Sequence, residues 1–233
     1  MTSVLFWDID LTLLSTARAG IYAVEDAVRD VLGVDADLQQ LFTAGLTDFE
    51  VMRVAAEAAG VEASDEVLAE MLRAYERHLP ERLAMRKGEV MPGVRQILDD
   101  LAGRDDVVSL LLTGNTRIGA QAKLAHYGLV DYFEDGAFCT EGDDRPAIAR
   151  RAWQLAERLS PNGAPDPERV FVIGDTPHDI RAAKAIGALA VAVASGKHSL
   201  AELEAEQPWL ALEELPEPGE FKRLLAIGDA TAG

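Results

Sequence analysis

The chain has 233 residues, 48% of them apolar and 27% charged, the balance of a folded globular protein with one core and room for a sizeable insertion. Asp and Glu outnumber Lys and Arg by 40 to 22, and a net charge of -18 argues against nucleic acid or an anionic membrane as a partner. The single cysteine, Cys139, excludes an internal disulfide and a thiolate metal cage, and the expectation is a cytoplasmic protein, monomeric or homodimeric.

Val4 to Trp7 is a short apolar run of the kind that forms a buried parallel strand, and it ends in Asp8-Ile9-Asp10-Leu11-Thr12. With two acidic residues inside it, this stretch reads neither as a leader nor as a membrane span. Thr16 to Gly33 carries Ile21, Val24, Val28, Val31 and Leu32 at helical spacing. Thr47 to Ala59 opens with a Thr47, Glu50 capping box, and Ser64 to Met85 reads as one or two helices around Pro80. Pro92 reads as the first residue of a helix running to Leu101.

Further apolar runs follow at Val107 to Leu112, Val170 to Ile173 and Leu189 to Ala194. Helical segments at Thr116 to Tyr127, Arg145 to Leu159 and Pro177 to Ile186 separate them, and Gly136 to Cys139 is strand-like. This alternation predicts a doubly wound, mainly parallel, Rossmann-like α/β sheet. The long gap between the first strand and Val107 far exceeds a crossover, so residues 16–87 are expected to form an inserted helical domain on a core of residues 1–15 and 88–233. After Leu189 to Ala194, Ser195-Gly196-Lys197 reads as a loop into a Ser199, Glu202 capping box, and the tail after Pro216 as a loop and short helix.

Three of the strands end in chemistry. Asp8 and Asp10 lie at the carboxyl end of the first, where open α/β sheets bind ligands, although alone they read equally as a turn and a helix cap. Thr113-Gly114-Asn115-Thr116 offers a hydroxyl, a close backbone approach and an amide at a helix start, a phosphate cradle or a plain cap. Gly174-Asp175-Thr176-Pro177-His178-Asp179 makes a good helix start, which accounts for Asp179 and leaves Asp175 unexplained. Carboxylates at two strand ends with no nearby Cys describe an oxygen-ligand site for a hard cation such as Mg²⁺.

Together these strand ends resemble the haloacid dehalogenase superfamily, in its phosphoglycolate-phosphatase-like branch with a helical cap. Asp8 to Thr12 is similar to the DxDxT motif, Thr113 to the second motif, and Gly174-Asp175 to Asp179 to GDxxxD. The resemblance implies a phosphatase acting on a small phosphorylated metabolite, with Asp8 as nucleophile and Asp10 as general acid and base. It places phosphate on Thr113, Gly114 and Asn115. Mg²⁺ would sit on Asp8, the Asp10 carbonyl and Asp175, with Asp179 ordering the metal site. A phosphomutase would use the same residues, a dehalogenase would not need Asp10, and a silent binding protein would not need the whole set.

The usual Lys of the third motif is missing, and Arg145 stands at a helix start in its place, where it can contact phosphate or Asp8. Lys123 and Lys184 are the alternatives, but both fall in predicted helices where a solvated face is expected. Gly45, Thr47 and Asp48 resemble the family's substrate-facing loop, and read equally as a loop and cap. Cys139 is expected to be a small buried hydrophobe, His78, His126 and His198 surface residues, and His178 a solvent-exposed one.

Overall fold

The computed structural model describes residues 2–160 and 164–228. From the N-terminus, β1 (Ser3–Trp7) and β2 (Leu14–Ser15) lead to three helices, α1 (Ala19–Leu32), α2 (Asp48–Ala58) and α3 (Asp65–Met85). β3 (Glu89–Val90) pairs antiparallel with β2, Leu14 opposite Val90, so the three helices leave and return through one small ribbon. The rest of the chain alternates: α4 (Val94–Leu101), β4 (Val107–Leu112), α5 (Arg117–His126), β5 (Gly136–Ala137), α6 (Arg145–Leu159), β6 (Val170–Gly174), α7 (Pro177–Ala185), β7 (Leu189–Val193), α8 (Leu200–Ala205), β8 (Leu210–Leu212) and α9 (Pro218–Leu224).

The main sheet runs β5-β4-β1-β6-β7-β8 with every described pairing parallel. Counted by order of use this is the doubly wound 3-2-1-4-5-6 arrangement, and the order reverses between β1 and β6. The carboxyl ends of those two strands therefore flank the crevice in which such sheets bind ligands. Both faces of the sheet are covered, which is why its strands read as unbroken apolar runs. Val4, Phe6, Leu110, Leu112 and Val172 face one cluster, shared with α6 and α7 and continuous with the apolar faces of α1, α2 and α3. Leu5, Trp7, Leu111, Phe171 and Ile173 face the other, against α4 and α9.

One local expectation changes and two are sharpened. The helix expected to begin at Pro92 begins at Val94: Gly93, at φ 77°, caps it in the left-handed region, which L residues avoid, and Pro92 lies in the turn. The one or two helices expected over Ser64 to Met85 are the single helix α3, with Pro80 inside, and buried Leu79 and Leu83 on either side hold it to its neighbours against a proline cost of about 3 kcal/mol. The tail forms the short helix expected of it, and Phe221 of α9 stacks on Trp7 with ring centroids 5.7 Å apart and seals that face. Among the described residues no helix is long and apolar enough to cross a membrane.

Candidate active site

Beyond β1 the chain folds tightly on itself. Leu13 and Leu14 donate their N–H groups to the Ile9 carbonyl at 2.9 and 3.1 Å, and Leu11 takes φ 62°, a costly conformation for a leucine. That turn keeps Asp8 and Asp10 at the mouth of the crevice. Asp8 is almost fully buried while the Asp10 side chain is 42% exposed. Across the reversal point, β6 delivers Asp175 and the start of α7 delivers Asp179, both buried.

Oxygens of Asp8, Asp175 and Asp179 lie within 4.8 Å of one another. Asp179 serves two purposes: its Oδ2 caps α7 by accepting from the Thr176 N–H (3.1 Å) and hydroxyl (2.7 Å), and its Oδ1 has no hydrogen bond. Asp8 Oδ1 is likewise buried without one. Burial pushes the Asp8 carboxyl up to about 7 against the opposing pull of Arg145, and burial with the neighbouring Asp179 and Asp8 charges pushes Asp175 well above the carboxylate range. An all-oxygen donor set with two orphaned buried oxygens fits a hard divalent cation, whose charge would reverse those shifts.

Arg145, at the first turn of α6 and 6% exposed, sits between two of these acids. Its Nη1 lies 3.6 Å from Asp8 Oδ1 and 3.3 Å from Asp179 Oδ1, and its Nε donates to the Gly45 carbonyl at 3.3 Å. Desolvation opposes the charge, but Asp8, Asp179 and Asp175 outweigh it and raise the guanidinium further above its ordinary value.

After β4, Thr113 and Asn115 are buried, and Asn115 links them to Asp10: its Nδ2 donates to Thr113 Oγ1 and to Asp10 Oδ2, each at 2.9 Å. Gly114 has no room for a side chain, since a Cβ there would meet the Leu46 carbonyl at 2.8 Å. The close approach lets the start of α2 dock on this loop. Asp48 N–H donates to the Gly114 carbonyl at 2.7 Å, and Asp48 Oδ2 accepts from the Thr116 N–H at 2.8 Å. The Thr47, Glu50 capping box forms as expected. Gly45 and Asp48 thus touch the site, and burial raises the Asp48 carboxyl to about 6.

Lys123 corrects the expectation of a solvated face. It is 4% exposed, and its Nζ donates to Asp10 Oδ2 at 2.6 Å and to Asn115 Oδ1. Burial would lower its pKa, but Asp10, Tyr75 and Asp48 outweigh that and raise it. Lys184 does lie on an exposed face, donating to the Glu206 carbonyl. His178 is half-buried over Gly45 rather than free in solvent, and Cys139 is buried. The 195–197 loop, read only as a connection, abuts the site: a Cβ on Gly196 would overlap Asp175 Oδ2.

A cavity of about 290 Å³ joins these groups, with Asp8, Asp10, Asn115 and Arg145 at the sheet end and Ile21, Phe42, Val51 and Tyr75 at the helical end. Residues 5–184 match the family model described as haloacid dehalogenase-like hydrolase. The chain belongs to the haloacid dehalogenase-like hydrolase family. It is 26% identical over 219 residues to the probable phosphatase IndB of Dickeya dadantii (strain 3937), covering 93% of this chain and 92% of that one. Its fold matches the structure of a predicted phosphatase from Clostridium acetobutylicum at a TM-score of 0.75, with 16% identity over 97% of this chain and 99% of that one. A predicted phosphoglycolate phosphatase from Haemophilus somnus matches at 0.73, with 16% identity over 97% and 98%.

Proposed function

We propose that this family member is a magnesium-dependent phosphatase that cleaves small phosphate monoesters through an aspartyl-phosphate on Asp8. The observation that carries the reading is the division of labour at the crevice. Asp8 is buried among Asp175, Asp179 and Arg145, while Asp10 is half-exposed to the cavity with its own set of donors. The phosphatase name of the 26% identical relative supports the same reading.

Asp8, the Asp10 carbonyl and Asp175 would hold Mg²⁺, with Asp179 ordering the site, and the ion would supply the positive charge that lets an anionic nucleophile meet an anionic ester. Arg145 balances charge on Asp8 and the transferring phosphoryl group, and Thr113, Gly114 and Asn115 cradle its oxygens. An Asp8 oxygen attacks phosphorus as the ester P–O bond breaks, and Asp10 gives its proton to the leaving oxygen. Asp10 then takes a proton from the water that attacks the aspartyl-phosphate, releasing inorganic phosphate and restoring Asp8. Residues 16–87 would act as a helical cap over a core of residues 1–15 and 88–233, keeping bulk water from the crevice.

A panel of phosphorylated metabolites assayed for inorganic phosphate, with Mg²⁺ and after chelation, tests the reading. Release of phosphate that depends reversibly on Mg²⁺ is expected. A mutase would interconvert phosphorylated sugars without net release, and full activity of exhaustively chelated protein would contradict the metal assignment.

A further inference from the structure

The two buried cations of the described site divide its carboxylates between them. Arg145 lies against Asp8 and Asp179, whereas Lys123 reaches Asp10. Lys123 Nζ and Asn115 Nδ2 both donate to the same oxygen, Asp10 Oδ2, at 2.6 and 2.9 Å, and Lys123 also donates to Asn115 Oδ1. The three groups close a ring. Among the described residues no hydrogen bond reaches the other oxygen, Asp10 Oδ1.

The ammonium is held from two directions. It rises from α5 beside the sheet, and the buried Tyr75 hydroxyl of α3 lies against it with Asp48 of α2 close by. An ammonium has three protons to donate, and Asp10 and Asn115 take two of them. Both bonds hold Lys123 on the Asp10 side of the site, whereas Arg145 holds the Asp8 side. A carboxylate otherwise rotates broadly about its last torsion, and a proton donor must come within hydrogen-bond reach of its acceptor.

We propose that Lys123 is a positioning residue for the proton transfer: with Asn115 it pins Oδ2 of Asp10 and leaves Oδ1 as the oxygen that exchanges the proton with the leaving group. This rests on the reading of Asp10 as general acid given above. The expected signature is selective. Misplacing the acid hurts esters whose leaving group needs a proton and spares those whose leaving group does not.

Single-turnover rates of wild type, Lys123→Met, Lys123→Arg, Tyr75→Phe and Asp10→Asn on a primary alkyl phosphate and on p-nitrophenyl phosphate decide it, with melting temperatures taken alongside. Lys123→Met is expected to lose about 10 to 100 times more rate on the alkyl ester than on the aryl ester, the scale of a small misplacement of a catalytic group. Lys123→Arg should recover part of that, and Tyr75→Phe should show a smaller loss of the same kind. Equal losses on both esters overturn the inference, since that is how a phosphate ligand or a purely structural lysine would behave. If Lys123→Met does not fold, an unchanged alkyl-to-aryl ratio in Tyr75→Phe overturns it instead. Selective loss in Asp10→Asn beside equal losses in Lys123→Met removes Lys123 alone, while equal losses in Asp10→Asn remove the acid role and the inference with it.

Discussion

Replacing Arg145 perturbs the site where its charge is most concentrated. The guanidinium is 6% exposed, with Nη1 3.6 Å from Asp8 and 3.3 Å from Asp179. At an effective dielectric of about 20, unit charges at that separation interact by about 4–5 kcal/mol, and the desolvation of both partners offsets part of it. Arg145→Ala is therefore expected to raise the barrier for phosphoryl transfer by about 2–4 kcal/mol, the cost of removing a preorganised donor from a developing charge. At 1.36 kcal/mol per decade that is a loss of about 30-fold to 1,000-fold. Arg145→Lys should recover part of it, because charge returns without the planar fork. Single-turnover rates at saturating ester and Mg²⁺ are the assay, on an aryl phosphate so that proton transfer does not limit. Rates within about threefold of wild type for both variants would refute the reasoning, and a silent Arg145→Ala beside a Lys123→Met crippled on the aryl ester would move the role to Lys123.

Asp10→Asn keeps the shape of the side chain and removes its transferable proton, so it should slow alkyl phosphates far more than activated aryl phosphates; equal slowing in single-turnover measurements would take Asp10 out of the acid role. Away from the crevice, Asp26 of α1 accepts from Arg82 of α3 through both oxygens, Nη2 to Oδ1 at 2.7 Å, and also from Arg29. Hydrogen bonds from Arg82 hold its carboxyl below the usual range despite its burial. A lowered folded pKa gives stability that is present above the unfolded value near 4 and is lost as pH falls through the folded one. Asp26→Asn should thus cost about 1–3 kcal/mol at pH 7, and the gap in melting temperature to wild type should hold from pH 7 to about 5 and narrow as pH falls below about 4; a gap that does not narrow in acid contradicts the pairing.

The sheet was legible because its central strands are buried on both faces, which writes them as unbroken apolar runs ending in acidic or polar clusters. The Thr47 and Ser199 capping boxes were legible because their partners lie three residues away. β2, β3 and β8 are two or three residues long and owe their pairing to segments distant in sequence, so no local pattern marks them. Pro92 misled because a proline fits either a first helical turn or the turn before it, and Gly93 decides between them. Lys123 was misjudged although a signal existed: Gly119, Ala120 and Leu124 mark the buried face of α5, and Lys123 falls on that face. A lysine there needs buried acceptors, and Asp10 lies at the end of another strand, more than a hundred residues away in the chain. The part played by Gly196 had no signal, since only the packed sheet brings it against Asp175.

The account stands or falls on Asp8 carrying the phosphoryl group. Wild type mixed with a phosphate ester and Mg²⁺, quenched in acid within one turnover and digested for mass spectrometry, should carry one phosphoryl group on the peptide holding Asp8. Asp8→Asn, folded to the same melting temperature, should carry none and release no inorganic phosphate. Phosphate release by Asp8→Asn at near the wild-type rate, or a phosphoryl group trapped on another residue, would contradict the mechanism.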